Sequence, residues 1–177
     1  MTAQEGTPAM TVAAREVLED CRGALAELVD GVQGSQWRRR WIIAIVLLRA
    51  VGHVLDKIDG ERSPQYKAEI SRWWENLKAT EPRPEIFWLF IDKERNTILK
   101  EYQTNAGQGV TVHVSGIELN LQTDELEVVP SKPSTYHYTM NAGHFEDRDQ
   151  RELIREAIAW WERQLDEIDS ALRQNVT

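Results

Sequence analysis

The residues whose types and spacing allow chemistry lie on two segments with the pattern of amphipathic helices. From Ile86 to Tyr102, apolar side chains recur at three- and four-residue steps, and Arg95 falls within that apolar stripe. From Trp37 to Asp59, Arg49 and His53 lie one turn apart on one helix face. An arginine keeps its charge and is rarely buried without an acceptor. The sequence therefore predicts a polar site built around Arg49, His53 and Arg95.

An arginine beside a histidine can combine anion binding with proton transfer. A guanidinium donates two parallel hydrogen bonds to phosphate oxygens and balances the charge that builds up on them. A neutral histidine accepts a proton. Arg95 is the candidate cation and His53 the candidate base, with Arg49 beside it. The alternative is a structural ion network, for which the available carboxylates are Glu94, Glu101 and Asp56.

The dipeptide Arg95-Asn96, on a late helix of a helical bundle, resembles the HEPN superfamily. Its members are helical-bundle proteins, many of them metal-independent ribonucleases of toxin–antitoxin and antiviral systems. The family motif is an arginine followed, after four to six residues, by a histidine. Here Arg95 and Asn96 match its first part, whereas Lys100, Glu101 and Tyr102 occupy the positions of the histidine. The resemblance implies a bundle, a homodimer and an RNA substrate.

Composition indicates a globular protein without a disulfide framework. Of the 177 residues, 41% are hydrophobic and 28% charged, which is the range of a single domain with a full core. The single cysteine, Cys21, excludes an internal disulfide and a thiolate metal cluster. A formal charge of −8 disfavours nonspecific attraction to nucleic acid or anionic membranes, but it allows a local basic site.

Targeting and cofactor signals are not found in the sequence. The N-terminus lacks a basic start followed by an apolar run, and the most apolar stretch, Trp41 to Leu48, is far shorter than the roughly 20 residues that cross a bilayer. We therefore expect a cytoplasmic protein that does not bind membranes. No glycine-rich phosphate loop, HExxH, GxSxG or dinucleotide fingerprint occurs, so we expect no cofactor and no metal.

Hydrophobic periodicity predicts a mainly α fold in one domain, residues 1–177. We expect a bundle of about five helices with a small antiparallel β-meander, residues 106–143, inserted before the last helix. The predicted helices cover residues 11–32, 37–59, a segment that opens at Ser63-Pro64, 86–102 and 149–174. The predicted strands cover residues 110–121, 126–129 and 136–140.

The adjacent tryptophan pairs Trp73-Trp74 and Trp160-Trp161 suggest one ring in the core and one at the edge of each pair, as at a dimer surface. The preferred interpretation is a HEPN-like cytoplasmic homodimer that cleaves RNA without a metal, as a toxin or a phage-defence factor. Its candidate site consists of Arg95, Asn96, His53 and Arg49. The alternative is a non-catalytic interaction or scaffold protein of the same fold that acts through protein partners.

Overall fold

Five α-helices form the bundle in a computed structural model that describes residues 10–113, 116–120, 125–129 and 132–174. They are α1 (Val12–Ala26), α2 (Gly34–Val54), α3 (Pro64–Ala79), α4 (Lys93–Glu101) and α5 (Gln150–Gln174). A π-helical segment, Leu55–Asp59, and a 3-10 turn, Gly60–Arg62, continue α2. Another π-helical segment, Ile86–Asp92, leads directly into α4. The mainly α architecture expected from periodicity is confirmed.

Local side chains explain where several helices begin and end. The Ser63 hydroxyl accepts from Tyr66 N at 3.2 Å, and Pro64 occupies the first turn of α3, as the sequence predicts. Asp149 accepts from the backbone of Arg151 and Glu152 and thereby caps α5. α1 ends at Ala26, six residues earlier than predicted, because the chain then turns through Gly31 at φ +87°.

The core lies along α5, which packs against α1, α2, α3 and the π-helical segment before α4. Its apolar stripe is buried as its periodicity predicts. The buried members include Leu153, Ile154, Ala157, Trp161, Leu165, Ile168 and Leu172. Because α5 contacts four other elements, it is the helix on which the rest of the bundle is assembled.

The tryptophans do not form the exposed edges that their adjacent pairs suggest. Trp160 and Trp161 are both buried, and Trp73 and Trp74 are both half-buried in a cluster of aromatic rings. Both members of a pair fit on one wide core face, because each ring packs against neighbouring aromatic rings. Tryptophan exposure therefore gives no support to a dimer surface.

A small antiparallel unit precedes α5, as predicted, but its pairing differs from a three-stranded meander. β1 (Gly109–Thr111) pairs with β4 (Thr135–His137), and β2 (Gly116–Asn120) pairs with β3 (Glu125–Val129). The unit is thus two two-stranded ladders, one nested inside the other along the chain. Periodicity gives the face of a strand but not its partner, which explains the difference. The predicted bulge at Ser115-Gly116 involves residue 115, outside the described residues.

The base of this unit is fixed to the bundle by buried polar contacts. Tyr138 stacks on Trp37 with ring centroids 3.7 Å apart, and its hydroxyl donates to Val32 O at 3.0 Å. Gln150 accepts from Trp37 Nε1 at 2.8 Å and donates to the carbonyls of Gly107 and Thr139. These contacts hold the insertion against α2 and α5.

The first turn of α1 is held by two carboxylates from distant parts of the chain. Asp59 accepts from Ala13 N and Ala14 N, at 3.1 and 2.8 Å. Asp169 accepts from Thr11 N at 2.8 Å and pairs with Arg15. Both carboxylates are 1% exposed, and each satisfies backbone donors that a helix leaves unpaired at its start.

None of the helices in the described part of the chain is both long and apolar enough to cross a membrane.

Candidate functional site

A chain of hydrogen bonds joins α2 to α4 through the residue that precedes α4. Arg49 Nε donates to Asp92 Oδ1 at 3.1 Å, and Asn96 Nδ2 donates to Asp92 Oδ2 at 3.0 Å. Arg95 Nη1 donates to Asn96 Oδ1 at 3.0 Å. Three of the four predicted site residues thus belong to one network. At its centre is Asp92, which sequence reasoning missed and which its i,i+4 spacing to Asn96 could have indicated.

Helix geometry explains why these side chains meet. Asp92 and Asn96 are one turn apart, so their side chains share a helix face. α2 packs against both α4 and the π-helical segment before it, which brings Arg49 across to Asp92. The guanidinium of Arg49 also lies over the ring of Phe87, with Cζ 5.7 Å from the centroid.

Both helices of the network adjoin a π-helical segment at the site. One π-helical segment ends at Asp92, and the other begins at Leu55, two residues after His53. Wide turns of this kind are rare and occur frequently at functional sites, because they redirect side chains at a cost in regular hydrogen bonding. Their position supports the interpretation of the network as a site.

Arg95 does not have the carboxylate partner that its place in the apolar stripe suggests. Its side chain is half-buried, and within the described residues no carboxylate lies within salt-bridge distance of it. Glu94 instead accepts from Trp41 Nε1, Asn105 N and Asn105 Nδ2, at 2.8–3.1 Å. Asp56 pairs with Lys67 and Lys57. Arg95 therefore retains donors and an uncompensated charge.

His53 is exposed, and Arg49 and Arg95 are close enough to act on it electrostatically. Partial burial lowers its pKa from the ordinary value of 6.5, and the positive charges of Arg49 and Arg95 lower it further. Asp56 and Asp92 act in the opposite direction without reversing the shift. Since its pKa is below 6.5, His53 is neutral at pH 7 and able to accept a proton.

Arg49 and His53 line a cleft of about 280 Å³ between α2, α3 and α5. Arg95 and Asn96 do not line it and connect to it through Asp92. Four of the nine other lining residues are aromatic, and Ser71 and Glu75 of α3 are polar. The nine are Gly52, Asp56, Ile70, Ser71, Trp73, Trp74, Glu75, Phe87 and Trp161.

Across residues 10–113, 116–120, 125–129 and 132–174, no three histidine, cysteine, aspartate or glutamate side chains are placed to hold a metal ion. His137 is bonded to Thr111, with 2.9 Å between Nε2 and Oγ1. The arrangement at the cleft can bind an oxyanion through arginine and accept a proton through histidine.

No protein-family model matches this chain, and no curated protein or solved structure matches it either. Its function therefore has to be inferred from the arrangement of its own side chains.

Proposed function

We propose that the chain is a HEPN-like protein that binds RNA at Arg49, Asn96 and Arg95 and cleaves it without a metal. The observation that carries the proposal is a histidine with a lowered pKa beside two arginines, one of which has no carboxylate partner in the described residues. The resemblance of Arg95-Asn96 to the HEPN motif supports a role as a cytoplasmic toxin or phage-defence factor.

The reaction is an internal transesterification of the RNA backbone. His53 takes the proton of a ribose 2′-hydroxyl, and the 2′-oxygen attacks the adjacent phosphorus. The bond to the 5′-oxygen breaks, that oxygen takes a proton from water, and His53 returns its own proton to the hydroxide that remains. Arg49 and Arg95 donate to the non-bridging oxygens as charge develops on them. The products are a 2′,3′-cyclic phosphate and a 5′-hydroxyl end.

The test is cleavage of single-stranded RNA by the purified protein in the presence of a chelator, with the ends analysed for cyclic phosphate. We expect Arg95→Ala and His53→Ala each to lower the rate by at least about 100-fold, the usual scale for losing an acid–base or charge-stabilising group. Matched controls are Arg39→Ala on α2 and His144→Ala, both exposed and outside the network. Full activity of both site variants would contradict these roles.

A second function is favoured by the ion pair that Arg49 already makes. Asp92 neutralises Arg49, and Lys100, Glu101 and Tyr102 stand where the HEPN histidine would be. The network would then fix the angle between α2 and α4 in a non-catalytic scaffold that binds protein partners. Inactivity of the wild type on varied RNAs, with normal folding, would favour this function.

A homodimer is part of the proposal, supported by exposed apolar side chains on the helices of the site. Ile43 and Val46 on α2 are 50% and 37% exposed, and Leu99 on α4 is 56% exposed. Large exposed apolar patches often mark protein–protein interaction sites. A second copy would cover them.

A further inference from the structure

We propose that the cleft beside Arg49 is a subsite for one nucleobase, whose attached phosphate is held by Arg49. The inference deepens the proposed function and rests on it, because it names the part of an RNA substrate that enters the cleft. The cleft volume, about 280 Å³, lies just under the range of about 300–1,000 Å³ typical of ligand pockets. Such a volume suits a single planar group.

The walls of the cleft offer ring faces. Trp73 and Trp74 are half-buried, and Trp161 and Phe87 are buried behind them. Trp73 lies 5.9 Å from Trp161, and Trp74 lies 6.0 Å from Phe87, centroid to centroid. Bases stack on such surfaces whatever their sequence, because every base has a π face.

The two indoles that flank the cleft are fixed in place by their nitrogens. Trp73 Nε1 donates to Gln164 Oε1 at 2.9 Å, and Trp161 Nε1 donates to Leu48 O at 2.8 Å. Their polar atoms are therefore used within the protein, and the rings present carbon to the cleft. A ligand that stacks there does not have to order them, which lowers the entropic cost of binding.

Arg49 supplies the anion-binding end. Its Nε is bound to Asp92, whereas Nη1 and Nη2 have no acceptor among the described residues. The Arg49 side chain is 17% exposed and lines the cleft. An anchored guanidinium with two free nitrogens fits the oxygens of a phosphate.

Gly52 allows this end of the cleft to form. A Cβ at this position would lie 3.0 Å from Trp161 Cη2 and 3.5 Å from Arg49 Nη1. Because Gly52 has no side chain, the Trp161 ring and the Arg49 guanidinium can both lie close to this turn of α2. This juxtaposition is what a base and its phosphate require.

The direct test is titration of the full chain with adenosine monophosphate, followed by tryptophan fluorescence and calorimetry. We expect saturable quenching, with adenosine and inorganic phosphate each binding at least about tenfold more weakly, since one charge-assisted contact is worth roughly that factor. Tryptamine, an aromatic cation without phosphate, is the competing occupant. Equal or tighter binding of tryptamine would overturn the inference.

Two variants separate the base from the phosphate. Ser71→Trp on the rim should fill the cleft and abolish nucleotide binding. Ser170→Trp, at an exposed position of α5 outside the cleft, should leave binding unchanged. Arg49→Met should remove the advantage of adenosine monophosphate over adenosine. Circular dichroism checks that each variant is folded. Binding that survives Ser71→Trp in a folded protein would overturn the inference.

The source of the base is settled by comparing adenosine monophosphate with the trinucleotide ApApA. Tighter binding of ApApA indicates an RNA chain, the reverse indicates a free nucleotide, and either order supports a base site. If Ser71→Trp blocks nucleotide binding and the wild type does not cleave RNA, the base subsite is supported and the nuclease function is rejected. If Ser71→Trp still cleaves RNA and adenosine monophosphate does not quench the fluorescence of the wild type, the base subsite is rejected and the nuclease function is kept.

Discussion

Asp92 decides how charge is distributed at the candidate site. Its two oxygens accept from Arg49 and from Asn96, so the Asn96 amide is oriented with its oxygen toward Arg95. One carboxylate thus serves two arginines, directly in one case and through an amide in the other. Burial lowers the pKa of His53, and the positive charges of Arg49 and Arg95 lower it further.

Removing the charge of Arg49 should raise the pKa of His53. In Arg49→Met the imidazolium loses a repulsive neighbour, and the carboxylate of Asp92 loses its ion pair; both changes favour the protonated ring. Titration of the His53 ring protons by NMR measures the shift. Any acid limb of activity that reports His53 should move to higher pH by the same amount.

Arg39→Met is the matched control, because it removes a charge from the exposed side of α2 without touching the network. It should change the pKa of His53 much less than Arg49→Met does. An unchanged pKa in Arg49→Met would mean that arginine charge does not control this histidine.

Neighbouring residues Arg95 and Glu94 should differ sharply in their contribution to stability. Arg95→Met loses one hydrogen bond to Asn96 at a half-buried position, so we expect a cost of at most about 1 kcal/mol. Glu94 is 2% exposed and satisfies three donors, so Glu94→Ala should cost roughly 3 kcal/mol. Urea denaturation measures both. A larger loss for Arg95→Met would indicate a buried ion pair at that position.

At the scale of elements, helix ends are joined by side chains from far along the chain. Backbone N–H groups at the start of α1 donate to two carboxylates. One is Asp59, from the π-helical segment after α2, and the other is Asp169 of α5. The insertion is joined to α2 by Trp37, Tyr138 and Gln150. Each such contact satisfies a buried polar group and fixes the position of one element relative to another.

The first turn of α1 should depend on Asp59 and hardly at all on Asp166. Asp59→Ala leaves two backbone N–H groups without acceptors and should cost about 2 kcal/mol. Asp166→Ala removes a carboxylate that is 70% exposed and should cost under about 0.5 kcal/mol, as is usual for surface pairs. Thermal unfolding distinguishes the two, and equal losses would contradict this account of the helix start.

For the whole molecule, the net charge is negative, whereas the candidate site carries local positive charge. The chain carries −8, yet the network holds two arginines and one carboxylate, Asp92, which bonds Arg49 directly and reaches Arg95 only through Asn96. A negative surface weakens indiscriminate attraction to RNA, so the proposed binding of RNA depends on these local arginines.

The proposed homodimer should dissociate when its apolar surface becomes charged. We expect the wild type to sediment as a dimer at micromolar concentration and Ile43→Glu to sediment as a folded monomer, because burial of a carboxylate without a partner is costly. Val12→Glu is the control, since Val12 is 45% exposed on a different helix. A wild type that remains monomeric at high concentration would contradict the dimer.

Much of the fold could be predicted because local patterns encode it. The apolar stripe of α5, the Ser63-Pro64 start of α3 and the Asp149 cap are short-range features with few alternatives. The strand pairing was missed, since period-two alternation is the same whichever strand lies alongside. The π-helical segments were missed too, because packing and not propensity imposes them.

The sequence by itself determined which residues of the candidate site are chemically capable, and the tertiary structure decided how they combine. Arg49, His53 and Arg95 stand out because polar side chains interrupt apolar faces, and Asn96 stands out because it follows Arg95 in the dipeptide that resembles the HEPN motif. That Asp92 joins them, that Glu94 faces Trp41 and not Arg95, and that aromatic rings from three segments enclose one cleft all depend on residues far apart in the chain. Arg49 and Asp92 are 43 positions apart. Only the packing of α2 against α4 closes that distance, because helix periodicity sets the side that a residue faces but not its partner across the interface.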